Sequence, residues 1–282
     1  METKFLNGRA LAGKIQEDVS NALASMQRVP KLSVVLVDGS EASRIYVRNK
    51  LKKAAAVGIQ TQVHELSPTI STSALISFVH ELNEDDLVDA ILIQLPLPHH
   101  IDTNAVIEAI DPKKDIDGLT SVNLGRLMAN NPYLVPCTPL GCLRLIHEAK
   151  KDLTGLNAVV IGRSRLVGRP MAQLLLSENC TVTTAHSKTR NLAALCRTAD
   201  ILVSATGQPG LITDNYIKPG AIVIDVGISK TADGQITGDV NTARAKGIAG
   251  WLTPVPGGVG PMTIAMILTN MLQIITQKPS DF

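Results

Sequence analysis

The sequence predicts an α/β protein of two domains, of which the second is a doubly wound nucleotide-binding fold. Two observations predict this class. Short β-rich runs alternate with helical patterns along most of the 282 residues, and one turn-rich stretch, residues 111–139, interrupts the alternation. We therefore expect a first domain at residues 1–138 that is completed by a C-terminal helix at 262–282, and a second domain at 139–261.

The first domain is expected to contain about three strands. Short β-rich runs at 32–37 and 62–66 flank a helical pattern that stops at Gly58, which is the order of a β-α-β unit. A third apolar run at 90–95 leads into Pro-Leu-Pro. This ending is typical of a buried parallel strand whose carboxyl end opens into a loop.

The second domain shows the same alternation over a longer stretch, which favours a Rossmann-like arrangement. Its strand patterns lie at 158–161, 181–184, 201–203 and 221–225, and its helical patterns at 140–150, 170–178 and 192–197. A last helical pattern at 264–276 follows a loop rich in glycine and proline. We expect that helix to return to the first domain.

The composition argues against nucleic acid and membrane as partners. Aromatic residues make up 2% of the chain, too few for a platform that stacks single strands, and 27 basic against 25 acidic residues leave a formal charge of +2. The apolar tracts are too short for a membrane span, and the first residues lack a secretory pattern. The four cysteines form no C-x-x-C pair, so we expect reduced, interior cysteines in a cytoplasmic protein.

A glycine loop directly follows the first strand of the second domain. Gly162-Arg-Ser-Arg-Leu-Val-Gly168 runs from that strand into a helix whose first turn suits Pro170. Glycine allows backbone N–H groups to approach phosphate oxygens, and a helix N-terminus favours their charge. This order predicts a dinucleotide site, although the spacing is not G-x-G-x-x-G and an ordinary strand-to-helix turn shares the order.

The end of the next strand indicates which dinucleotide is bound. NAD enzymes often place Asp or Glu there for the ribose hydroxyls, whereas this chain has Ala-His-Ser-Lys-Thr at 185–189. Ser187 can donate to a 2′-phosphate and Arg163 can supply positive charge, so NADP is favoured over NAD. His186 is expected in a surface loop, without a catalytic task.

Polar residues that can carry chemistry occur at three places in the first domain. Tyr46 and Lys50 stand four residues apart on a helix and can face the same side. Gln94 interrupts an apolar strand near its carboxyl end, where ligands of open α/β sheets collect. Asp115 and Asp117 lie in a turn. Each has an ordinary alternative, namely a solvated Tyr–Lys pair or aspartates that bond to nearby backbone.

Taken together, these segments resemble the bifunctional methylenetetrahydrofolate dehydrogenase/methenyltetrahydrofolate cyclohydrolase family. The resemblance covers nearly the whole chain and rests on seven segments in the same order. They are Ala42-Ser-Arg-Ile-Tyr-Val-Arg-Asn-Lys50, Gln94-Leu-Pro-Leu-Pro98, Lys114-Asp-Ile-Asp-Gly118, Pro136-Cys-Thr-Pro-Leu-Gly141, Gly162-Arg-Ser-Arg-Leu-Val-Gly168, His186-Ser-Lys-Thr189 and Pro254-Val-Pro-Gly-Gly-Val-Gly-Pro-Met-Thr263. One position departs from the family: Glu41 stands where proline is frequent, which affects loop stiffness more than chemistry.

The resemblance implies both an activity and a set of site residues. The activity is oxidation of 5,10-methylenetetrahydrofolate by NADP, followed by hydrolysis of the methenyl product to 10-formyltetrahydrofolate, in a homodimer of one-carbon metabolism and purine biosynthesis. Lys50 is implied as the central acid/base residue, Gln94 as the group that positions it, Tyr46 as a stacking partner of the pterin and Asp117 as the holder of the pterin edge. The implied NADP contacts are Gly162, Arg163, Ser164, Ser187 and Ile228, and Gly257, Gly258 and Pro261 are implied to border the folate pocket.

The residue types suit this chemistry without a metal. Hydride removal leaves a cation delocalised between two nitrogens, which a charged lysine would oppose, so we expect Lys50 to be neutral for part of the cycle. A neutral amine can take a proton from the water that attacks the methenyl carbon. Three alternatives remain: an enzyme with one of the two activities, another two-domain oxidoreductase such as a shikimate or amino-acid dehydrogenase, and a nucleotide sensor without catalysis.

Overall fold

The computed structural model describes residues 2–37, 41–231 and 233–276, and at 41–43, 45 and 46 it describes the backbone alone. In chain order the elements are β1 (Lys4–Phe5), α1 (Gly8–Ala24), β2 (Lys31–Leu36), α2 (Glu41–Ala56), β3 (Gln60–Glu65), α3 (Thr72–Glu84), β4 (Ala90–Ile93), α4 (Thr103–Glu108), α5 (Ser121–Met128), α6 (Cys137–Ala149), β5 (Asn157–Ile161), α7 (Gly168–Ser177), β6 (Thr181–Ala185), α8 (Leu192–Cys196), β7 (Ile201–Ser204), a 3-10 helix (Asp214–Tyr216), β8 (Ile222–Asp225), β9 (Ser229–Lys230), β10 (Ile236–Thr237), α9 (Thr242–Ala245), β11 (Trp251–Leu252) and α10 (Val259–Thr276).

The chain divides into two compact units, which we name after their sheets. The described residues up to 13 and those from 136 to 266 form the six-stranded unit. Those from 14 to 135 and from 267 onward form the three-stranded unit.

The six-stranded unit contains a parallel sheet with the order β1-β11-β8-β7-β5-β6. Strands β7 and β8 are buried along their whole length, as expected for apolar strands of a parallel sheet. From β5 the chain passes outward to β6 and then returns to β7 on the other side of β5. The order of the strands therefore reverses at β5, and ligands of such folds bind outside the carboxyl ends of the strands at this point.

The three-stranded unit has a parallel sheet with the order β3-β2-β4. Helix α3 contributes Leu75, Val79 and Leu82 to the core, a spacing that places all three on one helical face. The side chain of Ser71 accepts a hydrogen bond from Ala74 N and caps the start of this helix. The order of the strands reverses at β2, so the carboxyl ends of β2 and β4 lie side by side.

The predicted α/β fold with a parallel, doubly wound sheet is confirmed. The N-terminal residues differ from the expected domain assignment, because β1 pairs with β11 and thereby joins residues 2–13 to the six-stranded unit. The last helix begins at Val259, earlier than the apolar pattern indicated. All four cysteines are buried and free, as expected.

Helix α10 is, among the described helices, the one that is long and apolar enough to cross a membrane. Half of that stretch is buried within the structure. Asn270, in its interior, donates through its side-chain amide to the carbonyl oxygens of Ile116 (2.8 Å) and Val135 (2.9 Å). The contacts of α10 are therefore those of a core helix that supports the segment leading to Asp117.

Candidate functional site

Lys50 lies on the buried face of α2. Val47, Lys50 and Ala54 are spaced by three and four residues, and all three are buried, Lys50 being only 8% exposed. A lysine on such a face is costly, since the interior disfavours its charge. A costly buried ionisable group is a strong candidate for a functional residue.

Gln94 meets Lys50 at the carboxyl end of β4. Lys50 Nζ donates to Gln94 Oε1 at 3.2 Å, and Gln94 Nε2 donates to the carbonyl oxygen of Leu95 at 2.6 Å. The second bond fixes the amide, so that its oxygen faces the lysine. Gln94 is itself 6% exposed, so the two side chains form a buried, oriented donor–acceptor pair.

Tyr46 precedes Lys50 by one helical turn on α2. Its side chain lies outside the described part of the structure, so its implied stacking role stays a prediction.

The two aspartates of the turn before α5 have different surroundings. Asp115 is almost fully buried, and its Oδ2 accepts hydrogen bonds from Thr120 N (2.7 Å) and Asn123 Nδ2 (2.9 Å). It therefore organises the turn. Asp117 is half-buried, and it follows a parallel bridge between Ile91 of β4 and Asp115. This register brings Asp117 to the end of the sheet where Gln94 lies.

A cavity of about 470 Å³ opens in the six-stranded unit, at the carboxyl ends of β5, β6 and β7. Its lining residues are Ile161, Gly162, Arg163, Ser164, His186, Ser187, Leu192, Ala205, Thr206, Gln208 and Leu211. The cavity thus occupies the place where the strand order reverses, and four of the five predicted cofactor residues lie in its wall. Ala205, Thr206 and Gln208 were not predicted, although their position after an apolar strand was a usable signal.

The backbone of the glycine loop can take its observed path because Gly162 and Gly168 have no side chains. Gly162 has a φ of 137°, and a Cβ there would lie 2.7 Å from the carbonyl oxygen of Ala205. A Cβ at Gly168 would overlap with the backbone of Gly162. The side chain of Ser164 accepts from Val167 N (3.2 Å) and Gly168 N (3.4 Å), and so caps the beginning of α7.

The loop after β6 holds His186 in a defined orientation. Its Nδ1 accepts from Lys188 N at 3.2 Å, and its backbone N–H donates to Thr189 Oγ1 at 2.9 Å. His186 lies in a loop, as expected, and its half-buried side chain lines the cavity.

Ile228 does not line this cavity, although it was predicted to contact the cofactor. It lies between β8 and β9 and is 63% exposed.

The predicted folate-border residues Gly257, Gly258 and Pro261 belong to the six-stranded unit. A Cβ at Gly8 would overlap with the carbonyl group of Gly258, and Arg9 N donates to the carbonyl oxygen of Gly257 at 3.2 Å. The start of α1 therefore packs directly on this glycine loop. Pro261 lies in the first turn of α10, where its missing N–H costs nothing.

The fold and these sites define a two-unit α/β enzyme, with a dinucleotide-type cavity in the six-stranded unit and a buried lysine in the three-stranded unit. Comparison with known families is more specific. Residues 6–117 match the catalytic domain and residues 136–279 the NAD(P)-binding domain described as tetrahydrofolate dehydrogenase/cyclohydrolase. The chain belongs to the tetrahydrofolate dehydrogenase/cyclohydrolase family, which confirms the resemblance found in the sequence.

Individual relatives agree over almost their full length. The chain is 51% identical to the bifunctional protein FolD 2 of Paracoccus denitrificans, with 95% of this chain and 91% of that protein covered. The crystal structure of the bifunctional FolD enzyme from Campylobacter jejuni is 40% identical with a TM-score of 0.95, covering 98% of this chain and 99% of that one. The Trypanosoma brucei enzyme, solved with NADP cofactor and inhibitor, is 39% identical with a TM-score of 0.92, covering 98% of both chains.

Proposed function

We propose that this enzyme oxidises 5,10-methylenetetrahydrofolate to the methenyl form with NADP and then hydrolyses that product to 10-formyltetrahydrofolate. The observation that carries the proposal is the pairing of buried Lys50 with an oriented Gln94 at the carboxyl end of β4, in a chain that also contains a dinucleotide-type cavity. Its family membership supports the same reaction.

The residues around the cavity fit a dinucleotide. The glycine loop leaves no room for side chains at Gly162 and Gly168, and the N-terminus of α7 follows it, which suits a pyrophosphate. Arg163 and Ser187 both line the cavity and are exposed. No carboxylate lines the described wall, so a 2′-phosphate meets positive charge and hydroxyl donors there. We therefore assign NADP as the cofactor, which supplies the hydride acceptor when bound.

The first reaction requires that no nearby positive charge repels the cation that develops on the substrate. Loss of hydride from the methylene carbon leaves positive charge shared between the two flanking nitrogens. Lys50 is buried and bonds to Gln94, and because burial disfavours the charged amine, we propose that Lys50 is neutral for part of the cycle. Gln94 orients the lysine without adding charge. The half-buried Asp117 then holds the pterin edge, and Tyr46 stacks beside the ring.

The second reaction is an addition of water followed by ring opening. Lys50 Nζ removes a proton from the water as its oxygen bonds to the methenyl carbon. The hydroxyl group of the adduct then loses its remaining proton as the bond from that carbon to N5 breaks, N5 takes up a proton, and the C=O of the formyl group remains on N10. General acid–base help of this kind contributes about 100- to 10,000-fold. Gly257, Gly258 and Pro261 are proposed to border the same substrate.

The two units divide this work in our proposal. The three-stranded unit supplies Lys50 and Gln94, and the six-stranded unit binds NADP. The assembly is proposed to be a cytoplasmic homodimer that binds neither nucleic acid nor membrane. The buried, free cysteines and the core contacts of α10 are compatible with that environment.

A dual assay tests the proposal. Purified enzyme with methylenetetrahydrofolate and NADP is followed by separate absorbance signals for NADPH and for the methenyl compound, and 10-formyltetrahydrofolate is quantified by chromatography. We expect NADPH formation and a second rate that consumes added methenyltetrahydrofolate without NADP. NADPH without hydrolysis, or hydrolysis without NADPH, would reduce the assignment to one activity. Absence of both would overturn it.

A further inference from the structure

Two buried carboxylates stand at the carboxyl ends of β7 and β8, and the reaction just described does not use them. Asp225, 3% exposed, ends β8, and Asp239 is fully buried after β10. Charged groups are rarely buried without a purpose, because each must be compensated by hydrogen bonds or by a proton.

Asp225 accepts hydrogen bonds from the backbone of two segments. Its Oδ1 accepts from Gly227 N and Asp239 N, both at 2.9 Å, and its Oδ2 accepts from Val240 N at 2.8 Å. This carboxylate thereby ties the segment that leaves β8 to the segment that follows β10.

Asp239 ties the same segments to the cofactor cavity. Its Oδ2 accepts from Ser204 Oγ at 2.9 Å and from Thr206 N at 2.7 Å, and Thr206 lines the cavity. Its Oδ1 is buried without a hydrogen-bond partner among the described residues. Through Oδ2 alone, Asp239 therefore bonds both to Ser204, at the end of β7, and to Thr206, in the wall of the cavity.

Two glycines allow the carboxylates to come this close to the backbone. A Cβ at Gly227 would overlap with the carboxylate of Asp239, and a Cβ at Gly238 would overlap with the carboxylate of Asp225. Asp239 thus packs on Gly227, two residues after Asp225, and Asp225 packs on Gly238, which directly precedes Asp239. Burial raises the pKa of Asp225 to about 6, with backbone N–H bonds opposing the rise and the charge of Asp239 adding to it.

We propose that Asp225 and Asp239 are positioning residues for the dehydrogenase reaction. They hold the Ser204–Thr206 wall and the Gly227–Ile228 segment in the register that hydride transfer to NADP requires. Lys50 and Gln94, to which we assign the hydrolysis, belong to the other unit, so we expect hydrolysis to be much less sensitive to the aspartate pair than hydride transfer. This inference rests on the proposed function.

The test compares two rates in three variants. Asp239→Ala removes both accepted bonds, Ser204→Ala removes one of them, and Asp239→Asn keeps an oxygen acceptor. For Asp239→Ala we expect the dehydrogenase kcat to fall roughly 10- to 100-fold, the cost of a small misplacement, with cyclohydrolase activity within about 3-fold of wild type. Ser204→Ala should give a smaller loss in the same reaction alone, and Asp239→Asn should restore most of the kcat.

Asp200→Ala is the matched structural control. Asp200 lies just before β7, at the opposite end of the strand, where it accepts from Asn157 N (2.9 Å) and pairs with Lys218 (2.6 Å). This variant should lower thermal stability and leave the ratio of the two activities unchanged. If Asp239→Ala does not fold, Ser204→Ala decides the question by the same ratio.

Equal losses in both activities, or a loss of stability alone, would overturn the positioning role. A wild-type enzyme that lacks dehydrogenase activity would instead overturn the proposed function, so the two failures are distinguishable.

Discussion

Lys50 occupies a position on α2 that the spacing of Val47 and Ala54 assigns to the interior. The four-residue spacing from Tyr46 predicted a shared face, but spacing alone does not say whether that face is buried. The contact with Gln94 joins residues 44 positions apart and required the fold. The sequence alone does not distinguish the roles of Asp115 and Asp117. The hydrogen bonds from Thr120 and Asn123 show that Asp115 organises the turn, which leaves Asp117 as the candidate for binding the pterin.

Arg163→Ala should weaken NADP binding much more than NAD binding. Only NADP presents a 2′-phosphate, and a charge-assisted hydrogen bond contributes about 1.5–3 kcal/mol, or roughly 10- to 150-fold in Kd. Titration of both cofactors measures the difference. Lys246→Ala, which removes a cation over the Phe5 ring of the same unit, should change neither Kd. Equal losses for both cofactors in Arg163→Ala would move the phosphate contact to Ser187 or Arg165.

At the scale of elements, the sequence predicted every described strand of four or more residues. Most of them carry an apolar run, whereas β3 and β6 were indicated by β-branched residues and by their order between helical patterns. The two-residue strands β1 and β11 were not predicted. Two residues show no periodicity, and β1 and β11, which pair with each other, are far apart in the sequence. The glycine loop was predicted from its order after β5. That Gly162 and Gly168 pack on backbone, rather than merely form a turn, became evident only from their neighbours.

Gly168→Ala should strongly reduce NADP binding while cyclohydrolase activity is largely kept. The new Cβ overlaps with the backbone of Gly162 and must displace the loop. Gly125→Ala is the control, because this glycine of α5 has open space around its Cβ position and should be neutral or stabilising by about 0.5–1 kcal/mol. Unchanged NADP affinity in Gly168→Ala would refute the close packing.

Asn270→Leu should destabilise the protein by roughly 2–4 kcal/mol, because the buried carbonyls of Ile116 and Val135 lose their donor. Asn270→Asp keeps the shape and loses the same donor, so it should be destabilised as well. Urea unfolding measures both. A stable Asn270→Asp variant would show that the amide hydrogen bonds contribute little.

At the scale of the whole molecule, stability should depend on pH through Asp225. Its pKa in the folded protein is raised from 3.8 to about 6, mainly by burial. The stabilising proton is therefore fully bound in the folded state below pH 3.8 and is lost as the pH rises through 6. The free energy of unfolding from this group should decrease by about 1–1.5 kcal/mol between pH 5 and pH 8.

Asp225→Asn isolates that contribution. The amide does not titrate, so the variant should lose this part of the pH slope, although it is less stable at every pH because Val240 N loses a full acceptor. Urea unfolding at pH 5, 6.5 and 8 compares the two proteins. Identical slopes would exclude Asp225 as the titrating group.

We propose both activities for one chain, and the Lys50→Met variant tests most directly whether they depend on different groups. Methionine keeps the length and apolar stem of lysine on the buried face of α2, so helix and packing should persist. The amine alone is lost. Thermal unfolding, NADP binding and the exposed Lys52→Met variant on the same helix serve as controls.

The measurement is the ratio of the two rates in folded Lys50→Met. We predict that methenyl hydrolysis falls about 100- to 10,000-fold, because proton removal from the attacking water is lost. Oxidation of methylenetetrahydrofolate should fall less, since hydride transfer takes no proton from Lys50 and suffers only from poorer positioning of the folate. Hydrolysis near the wild-type rate in this variant would contradict the acid/base role of Lys50.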